Sequence, residues 1–310
     1  MAERNQIERL DEAVDAILAG RAPSVVDADL AMLLVGAADL RGMPDPAFRT
    51  RLRAELFGKE EKRVATQNVV PYFVVDGADD FIAFLQSAFG GELTGRFLRP
   101  DGSVMHAEVR IDDSTLELGN ASERYAPLHL AAHVYVPNVD AVYERAVAAG
   151  GTSLYVPMDQ PYGDREAGVK DRWGNHWYIA THQATGSRPA GLRTVTPFLH
   201  PRGTARLLDF LKRAFGAEER EPVETAPDGM IHHAVLWLGE SAIEFGEAHG
   251  EWQPMPANMH VFVDDVDAIY ERAVAAGAKS VAAPADQPYG ERSAHVEDEW
   301  GNAWFLAKKL

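Results

Sequence analysis

Tyr143-Glu-Arg-Ala-Val-Ala-Ala-Gly150 returns letter for letter as Tyr270 to Gly277, and Asp159-Gln-Pro-Tyr-Gly163 returns as Asp286 to Gly290. Trp173-Gly174-Asn175, followed by Trp177, returns as Trp300-Gly301-Asn302, followed by Trp304. These pairs lie 127 positions apart. Upstream, Phe84-Leu85 and Ala88-Phe89-Gly90 match Phe210-Leu211 and Ala214-Phe215-Gly216 at a spacing of 126, so a single-residue indel separates two copies of one module. A fixed internal period is the signature of a duplicated architecture. The copies span 66–183 and 192–310. Residues 184–191, rich in Gly, Ser and Pro, read as a linker.

Each copy repeats one order of elements. Asn68–Val75 is β-branched and aromatic, which predicts a strand. Phe81, Phe84, Leu85, Ala88 and Phe89 fall at helical spacing over Ala78–Phe89, and Gly90-Gly91 stops that helix. Short strands are predicted over Leu93–Leu98, Met105–Ile111 and Ser114–Leu118, the last two joined by a tight turn at Asp112-Asp113. The order then restarts with a strand at Ala131–Val136, a helix at Val139–Ala149 and strands at Ser153–Val156, Gly168–Asp171 and His176–Thr181. The expected fold class is α+β, with four βαβββ units in two tandem modules. A short helical segment is expected over residues 1–65, where Ile7, Leu10, Val14, Ile17 and Leu18 form an apolar stripe.

Composition bounds the function. Of 310 residues, 46% are hydrophobic, enough to fill real cores. The formal net charge of −17 disfavours nucleic acid and anionic membranes, because phosphate binding needs clustered positive charge. Cysteine is absent, which removes disulfides, thiolate metal sites and Cys nucleophiles together. There is no membrane-span-length apolar run, and Met1–Leu18 is too charged for a signal peptide, so the expected location is cytoplasmic. No Gly-rich phosphate loop, HExxH or nucleophile elbow occurs.

The repeated unit carrying Gly168-Val-Lys-Asp-Arg-Trp-Gly-Asn-His-Trp-Tyr-Ile-Ala-Thr-His182 resembles the vicinal oxygen chelate superfamily. That superfamily includes glyoxalase I, bleomycin-resistance proteins and extradiol dioxygenases, and the PhnB-like branch is the nearest in pattern. Val70-Pro71-Tyr72 and Thr196-Pro197-Phe198 carry the same resemblance at the first strand of each copy. The resemblance implies cup-shaped mixed sheets, each built from two units. It also implies that metal-dependent members place His or Gln on the first strand, Glu on the fourth, His on the fifth and Glu on the last. Here those positions hold Val70, Glu117, Ala131 and Tyr178 in the first copy, and Thr196, Glu244, Asn258 and Phe305 in the second. One carboxylate per copy cannot hold a catalytic ion, so no cofactor is expected from that pattern. A displaced divalent metal site is the alternative: Glu117, His133 and His106, or Glu244, His260 and His233.

The aromatic residues are the other lead, since rings suit flat organic ligands and Tyr adds a directed hydrogen bond. Tyr72, Tyr135, Trp177 and Tyr178, with Phe198 and Phe305, are candidate lining residues beside Glu117, His133, Glu244 and His260. Arg165 and Arg292 follow the repeated Asp-Gln-Pro-Tyr-Gly loop and are expected to reach over the mouth of a cup and hold an anion. The favoured reading is a metal-free, small-molecule-binding protein that holds or sequesters a partly aromatic ligand. One alternative is a metal-dependent lyase, isomerase or dioxygenase. Another makes the N-terminal helices a protein-contact, self-association or regulatory module. The two cups are expected to differ, because His176 and Tyr178 become Ala303 and Phe305 in the second copy.

Overall fold

A computed structural model describes residues 66–123 and 125–310. The helical segment expected over 1–65 lies outside the described residues. Strand, helix and three further strands follow one another four times: β1 (Val69–Val75), α1 (Ala78–Phe89), β2 (Glu92–Leu98), β3 (Val104–Ile111), β4 (Ser114–Asn120); β5 (Ala131–Tyr135), α2 (Val139–Ala148), β6 (Thr152–Asp159), β7 (Asp164–Lys170), β8 (His176–His182); β9 (Val195–Leu199), α3 (Thr204–Phe215), β10 (Glu224–Thr225), β11 (Ile231–Leu238), β12 (Ser241–Phe245); β13 (Asn258–Phe262), α4 (Val266–Ala275), β14 (Lys279–Gln287), β15 (Glu291–Glu297) and β16 (Ala303–Lys309). None of these helices is long and apolar enough to cross a membrane.

The sheets do not follow the copies. Sheet I runs β14–β15–β16–β13–β1–β4–β3–β2, and sheet II runs β10–β11–β12–β9–β5–β8–β7–β6. Each eight-stranded sheet therefore joins half of one copy to half of the other. The seams are antiparallel: Val70 of β1 opposes His260 of β13, and His133 of β5 opposes Thr196 of β9. Within each half, the first and last strands pair in parallel, as Tyr72 with Glu117 and His133 with Tyr178 show. Two serines tie the sheets together: Ser114 Oγ accepts from the Val195 N–H at 2.8 Å, and Ser241 Oγ accepts from the Asn68 N–H at 2.8 Å.

Period two assigns each strand an inner and an outer face. On the outer face, Phe73 stacks on Trp177 with ring centroids 5.4 Å apart, and Phe81 and Phe89 close around the same indole. These residues are buried, and truncating a core Phe of this kind to Ala costs about 3–5 kcal/mol. The helix amphipathicity read from sequence is explained by this packing: Phe81, Leu85 and Ala88 face the sheet.

The Trp-Gly-Asn motif turns out to be structural. The Asp171 carboxylate accepts from the backbone N–H groups of Trp173 and Asn175, from the Asn175 side chain and from Trp177 Nε1, while Asn175 Oδ1 accepts from the Leu130 N–H. Asp298 repeats the arrangement with Trp300, Asn302 and Trp304. The motif that carries the resemblance thus locks the turn into the last strand of its unit.

Candidate functional site

The inner face of sheet II holds a continuous line of ionisable groups. His133 Nδ1 donates to Glu244 Oε2 at 2.7 Å, and its Nε2 donates to Glu166 Oε2 at 3.1 Å. His233 Nε2 lies 3.2 Å from Glu244 Oε1, and the Tyr135 hydroxyl donates to the same oxygen. Tyr155 and Tyr162 donate their hydroxyls to Glu166. Gly168 makes the Tyr155 bond feasible, because a Cβ there would stand 2.4 Å from the Tyr155 ring. Burial opposes charge on His133, yet Glu244 and Glu166 raise its pKa to about 10. Burial also opposes charge on Glu244, but His133 and His233 hold it down at about 2. The centre is therefore an imidazolium clamped between two carboxylates.

Rings cover this line. Trp252, from the segment between β12 and β13, touches Tyr155, His176, Tyr178 and His200, with centroids 5.8–6.3 Å apart. The Tyr178 hydroxyl and His200 Nε2 are 2.7 Å apart. Burial lowers the His200 pKa to about 4, so this ring is neutral. Tyr178, Phe198, Tyr135 and His133 are all buried, and sheet II is filled by its own side chains.

Sheet I is built from the same positions and is more open. His260 Nδ1 stands 2.7 Å from Glu117 Oε2. Tyr72, His106, Glu108, His260, Phe262, His295 and Phe305 are half-buried around the buried Glu117. Phe305 stacks on His295 at 4.2 Å and meets Tyr72 at 5.9 Å. Tyr125, six positions before β13's counterpart β5, meets Phe305 at 6.0 Å and takes the place that Trp252 holds in sheet II. Gly119 gives Tyr72 its room, since a Cβ would come within 3.2 Å of the Tyr72 hydroxyl.

Several expectations change. Glu117 and His133 do not share a site: Glu117 is in sheet I and His133 in sheet II, so Glu117 joins His260 and Glu244 joins His133. The expected metal sets exchange their fifth-strand histidines accordingly. Arg165 does not reach over a cup. It lies within β7 on the outer face, where its guanidinium takes Asp140 at 2.7 and 2.8 Å and Asp159 at 3.2 Å. Arg292 makes the matching pairs with Asp267 and Asp286. Trp177 is a core residue, fully buried on the outer face. The difference between cups holds in another form: Phe305 and Ala303 share a sheet with Tyr72 and Glu117, while Tyr178 and His176 share one with Phe198 and Glu244. Glu166 and Glu108 were missed. Period two carries their signal: Glu108 lies two residues from His106 on β3, and Glu166 two from Gly168 on β7.

The quartet implied by the resemblance does not fit either sheet. With the cross-copy pairing, sheet I offers Val70, Glu117, Asn258 and Phe305, and sheet II offers Thr196, Glu244, Ala131 and Tyr178. Thr196 Oγ1 is already donating to the Arg193 carbonyl.

Comparison with known proteins agrees with this architecture. A protein of Mycobacterium bovis, itself described as uncharacterized, is 36% identical over 120 residues, covering 35% of this chain and 79% of its own. Glyoxalase I from Zea mays superposes with a TM-score of 0.59 at 15% identity, covering 78% of this chain and 92% of that one. A putative dioxygenase from Bacillus subtilis superposes with a TM-score of 0.50 at 11% identity, over 79% and 86%. At these identities the two structures establish the fold alone. The family model of the Glyoxalase/Bleomycin resistance protein/Dioxygenase superfamily matches residues 67–179 and 201–306, more than half of the sequence. The chain belongs to that superfamily.

Proposed function

We propose that the inner face of sheet I binds one small, partly aromatic organic molecule per chain. The observation that carries this reading is the contrast between the two sheets. In sheet II, Trp252, Tyr178 and Phe198 pack on one another over the charged line. In sheet I, Phe305, Tyr72 and Phe262 are half-buried where their sheet II counterparts Tyr178, Phe198 and Tyr135 are buried. Phe97 and Tyr289, 58% and 70% exposed, stand at its rim. Exposed rings on a recessed face are suited to stacking on a flat ligand, and the Glu117–His260 pair supplies one polar anchor. Membership of a superfamily that hosts small-molecule binders and metalloenzymes supports the reading.

Titration with the fluorescent aromatic probe 8-anilinonaphthalene-1-sulfonate tests it. One equivalent is expected to bind. Phe305→Ala is expected to weaken binding about tenfold, the effect of losing ~1.4 kcal/mol of ring contact, while Tyr178→Phe in sheet II leaves it unchanged. Equal sensitivity to both variants, or no saturable binding, would overturn the proposal.

A further inference from the structure

We propose that the molecule held by sheet I carries a carboxylate, gripped by His260 and Tyr289 where the chain's own Glu166 carboxylate sits in sheet II. The inference rests on the reading of sheet I as a binding face and names the class of its ligand, a flat aromatic acid. The chain displays the contact in sheet II. There the Glu166 carboxylate accepts from the Tyr155 hydroxyl, from the Tyr162 hydroxyl at 3.2 Å and from His133 Nε2 at 3.1 Å. His133 in turn stands between Glu166 and Glu244.

Three observations point to a missing acid in sheet I. First, the donors are kept and their acceptor is not. At the 127-residue spacing, His133, Tyr162 and Glu166 match His260, Tyr289 and Ser293, and Glu244 matches Glu117. Tyr162 and Tyr289 lie in the same Asp-Gln-Pro-Tyr-Gly loop. Second, both retained donors have capacity to spare. Among the described residues, His260 is hydrogen-bonded through Nδ1, to Glu117, and not through Nε2. The Tyr289 hydroxyl has no hydrogen-bond partner among them, and the residue is 70% exposed. Third, the phenol that closes over Glu166 from β6 has no equivalent on β14. The cross-strand pair Tyr155–Gly168 becomes Ala282–His295, so the bulk moves to β15, where the His295 ring stacks on Phe305. Ser293 is left half-buried, with a short side chain where Glu166 extends a carboxylate.

The chemistry of the set selects the ligand. An imidazole and a phenol converging on one point suit an acceptor, and hydrogen bonds to a carboxylate are about twice as strong as those to a neutral oxygen. Glu117 and its cross-strand neighbour Glu108 oppose a bound anion. In sheet II the matching Glu244 does the same to Glu166, and His133 between them resolves the conflict. His260, already on Glu117, takes that bridging place in sheet I. Tyr72 adds a neutral phenol to the face, since burial and then Glu117 raise its pKa, and Tyr289 is near enough to act on it. The ring of the ligand follows from the register. His260 pairs with Phe305 across β13 and β16, so a carboxylate held at His260 lays an attached ring against Phe305.

The experiment is calorimetric titration of the full-length protein with 2-naphthoate and, separately, with 2-naphthalenemethanol, its uncharged counterpart. One equivalent of the acid is expected to bind, at least about tenfold tighter than the alcohol. Tyr289→Phe, on an exposed loop, is expected to weaken the acid about tenfold and to change the alcohol by no more than about threefold. Ser293→Glu copies the residue that the first copy carries at the matching position. It is expected to set a tethered carboxylate between His260 and Tyr289 and to weaken the acid at least about tenfold. Tyr162→Phe, the same change in sheet II, is expected to leave the affinity for the acid unchanged. Equal affinity for acid and alcohol, both weakened by Phe305→Ala, would overturn the carboxylate site and leave sheet I standing as a binding face. Undiminished binding of the acid in Tyr289→Phe and Ser293→Glu would also overturn it. Saturable binding of neither probe would remove the binding face itself, and this inference with it.

Discussion

His260 Nδ1 and Glu117 Oε2 meet at 2.7 Å although 143 positions separate them, and the contact crosses from one sequence copy to the other. His133 and Glu244 make the reciprocal contact at the same distance. Both follow from the sheet order: the last of the four βαβββ units completes the sheet begun by the first, and the two middle units complete each other. Neither copy alone can make either of these two histidine–glutamate contacts. The histidine–glutamate contacts at the heart of both sheets are therefore also the glue between copies.

Cutting the connection between copies should leave the particle whole. Each sheet takes four strands from each copy, so separation would expose two seam edges and break both His–Glu pairs. A protease site inserted between Gly186 and Ser187 tests this. After cleavage, the fragments are expected to co-elute at the volume of the intact chain on size exclusion, and to part only in denaturant. Separation of the fragments under native conditions would contradict the cross-copy sheets.

How far the sequence reached is clear from particular residues. Helix Ala78–Phe89 and the strand ending at Val75 are found where periodicity put them, because Phe73, Phe81 and Leu85 bury on one face and Gly90 adopts the left-handed cap, φ 72°. The inner positions Tyr72, Glu117 and His260 were legible through period two. Applied strictly, the same rule separates Trp177 from Tyr178 and Arg165 from Glu166, since neighbours on a strand face opposite ways. Residue type singles out Trp177 as a ring and Arg165 as a cation beside the Asp159–Gly163 loop, and residue type alone does not carry the direction a side chain faces. The partner of Glu117 was not legible. Two copies of one module offer similar seam edges, and local pattern does not say which edge meets which.

Breaking the sheet II centre should cost far more than its half-buried equivalent. Glu244→Gln leaves the His133 imidazolium facing Glu166 alone in a buried site, and removing one member of a buried pair typically costs about 3–5 kcal/mol. Glu117→Gln leaves His260 in a more open setting, with an expected loss of about 1–2 kcal/mol. Urea unfolding of the two variants checks the ordering. An equal loss would show that the sheet II line is no more tightly coupled than the sheet I pair.

Stability should peak near neutrality, with each flank assigned to a different histidine. His133 has a folded pKa of about 10, raised from about 6.5. Its contribution is fully present below pH 6.5 and is lost as pH rises from there through 10. His200 has a folded pKa of about 4, lowered by burial, so its contribution is present above pH 6.5 and is lost as pH falls through 4. His176, lowered to about 4 chiefly by burial, acts in the same direction. Glu244, held at about 2, adds a loss only as pH falls below about 4.5. Thermal unfolding between pH 4 and 10 is expected to show His133→Gln flattening the alkaline flank and His200→Phe reducing, without abolishing, the acid flank. A His133→Gln profile that keeps the alkaline decline would refute the imidazolium assignment.

Trp252 should act as the stopper that makes sheet II unlike sheet I. Its ring reaches Tyr155, His176, Tyr178 and His200 together, whereas its counterpart Tyr125 meets Phe305 among the described residues. Truncation to Ala removes a half-buried indole and is expected to cost about 2 kcal/mol, less than a fully buried Trp would. The same change uncovers Tyr178 and Phe198, which then resemble the accessible rings of sheet I. Trp252→Ala is therefore expected to take up a second equivalent of 8-anilinonaphthalene-1-sulfonate, and the double variant with Phe305→Ala is expected to keep the new site while the first is weakened about tenfold. Near-UV circular dichroism must remain native for the added binding to count as an opened cup. Uptake confined to one equivalent would mean that the charged line beneath, and not the indole above it, keeps sheet II closed.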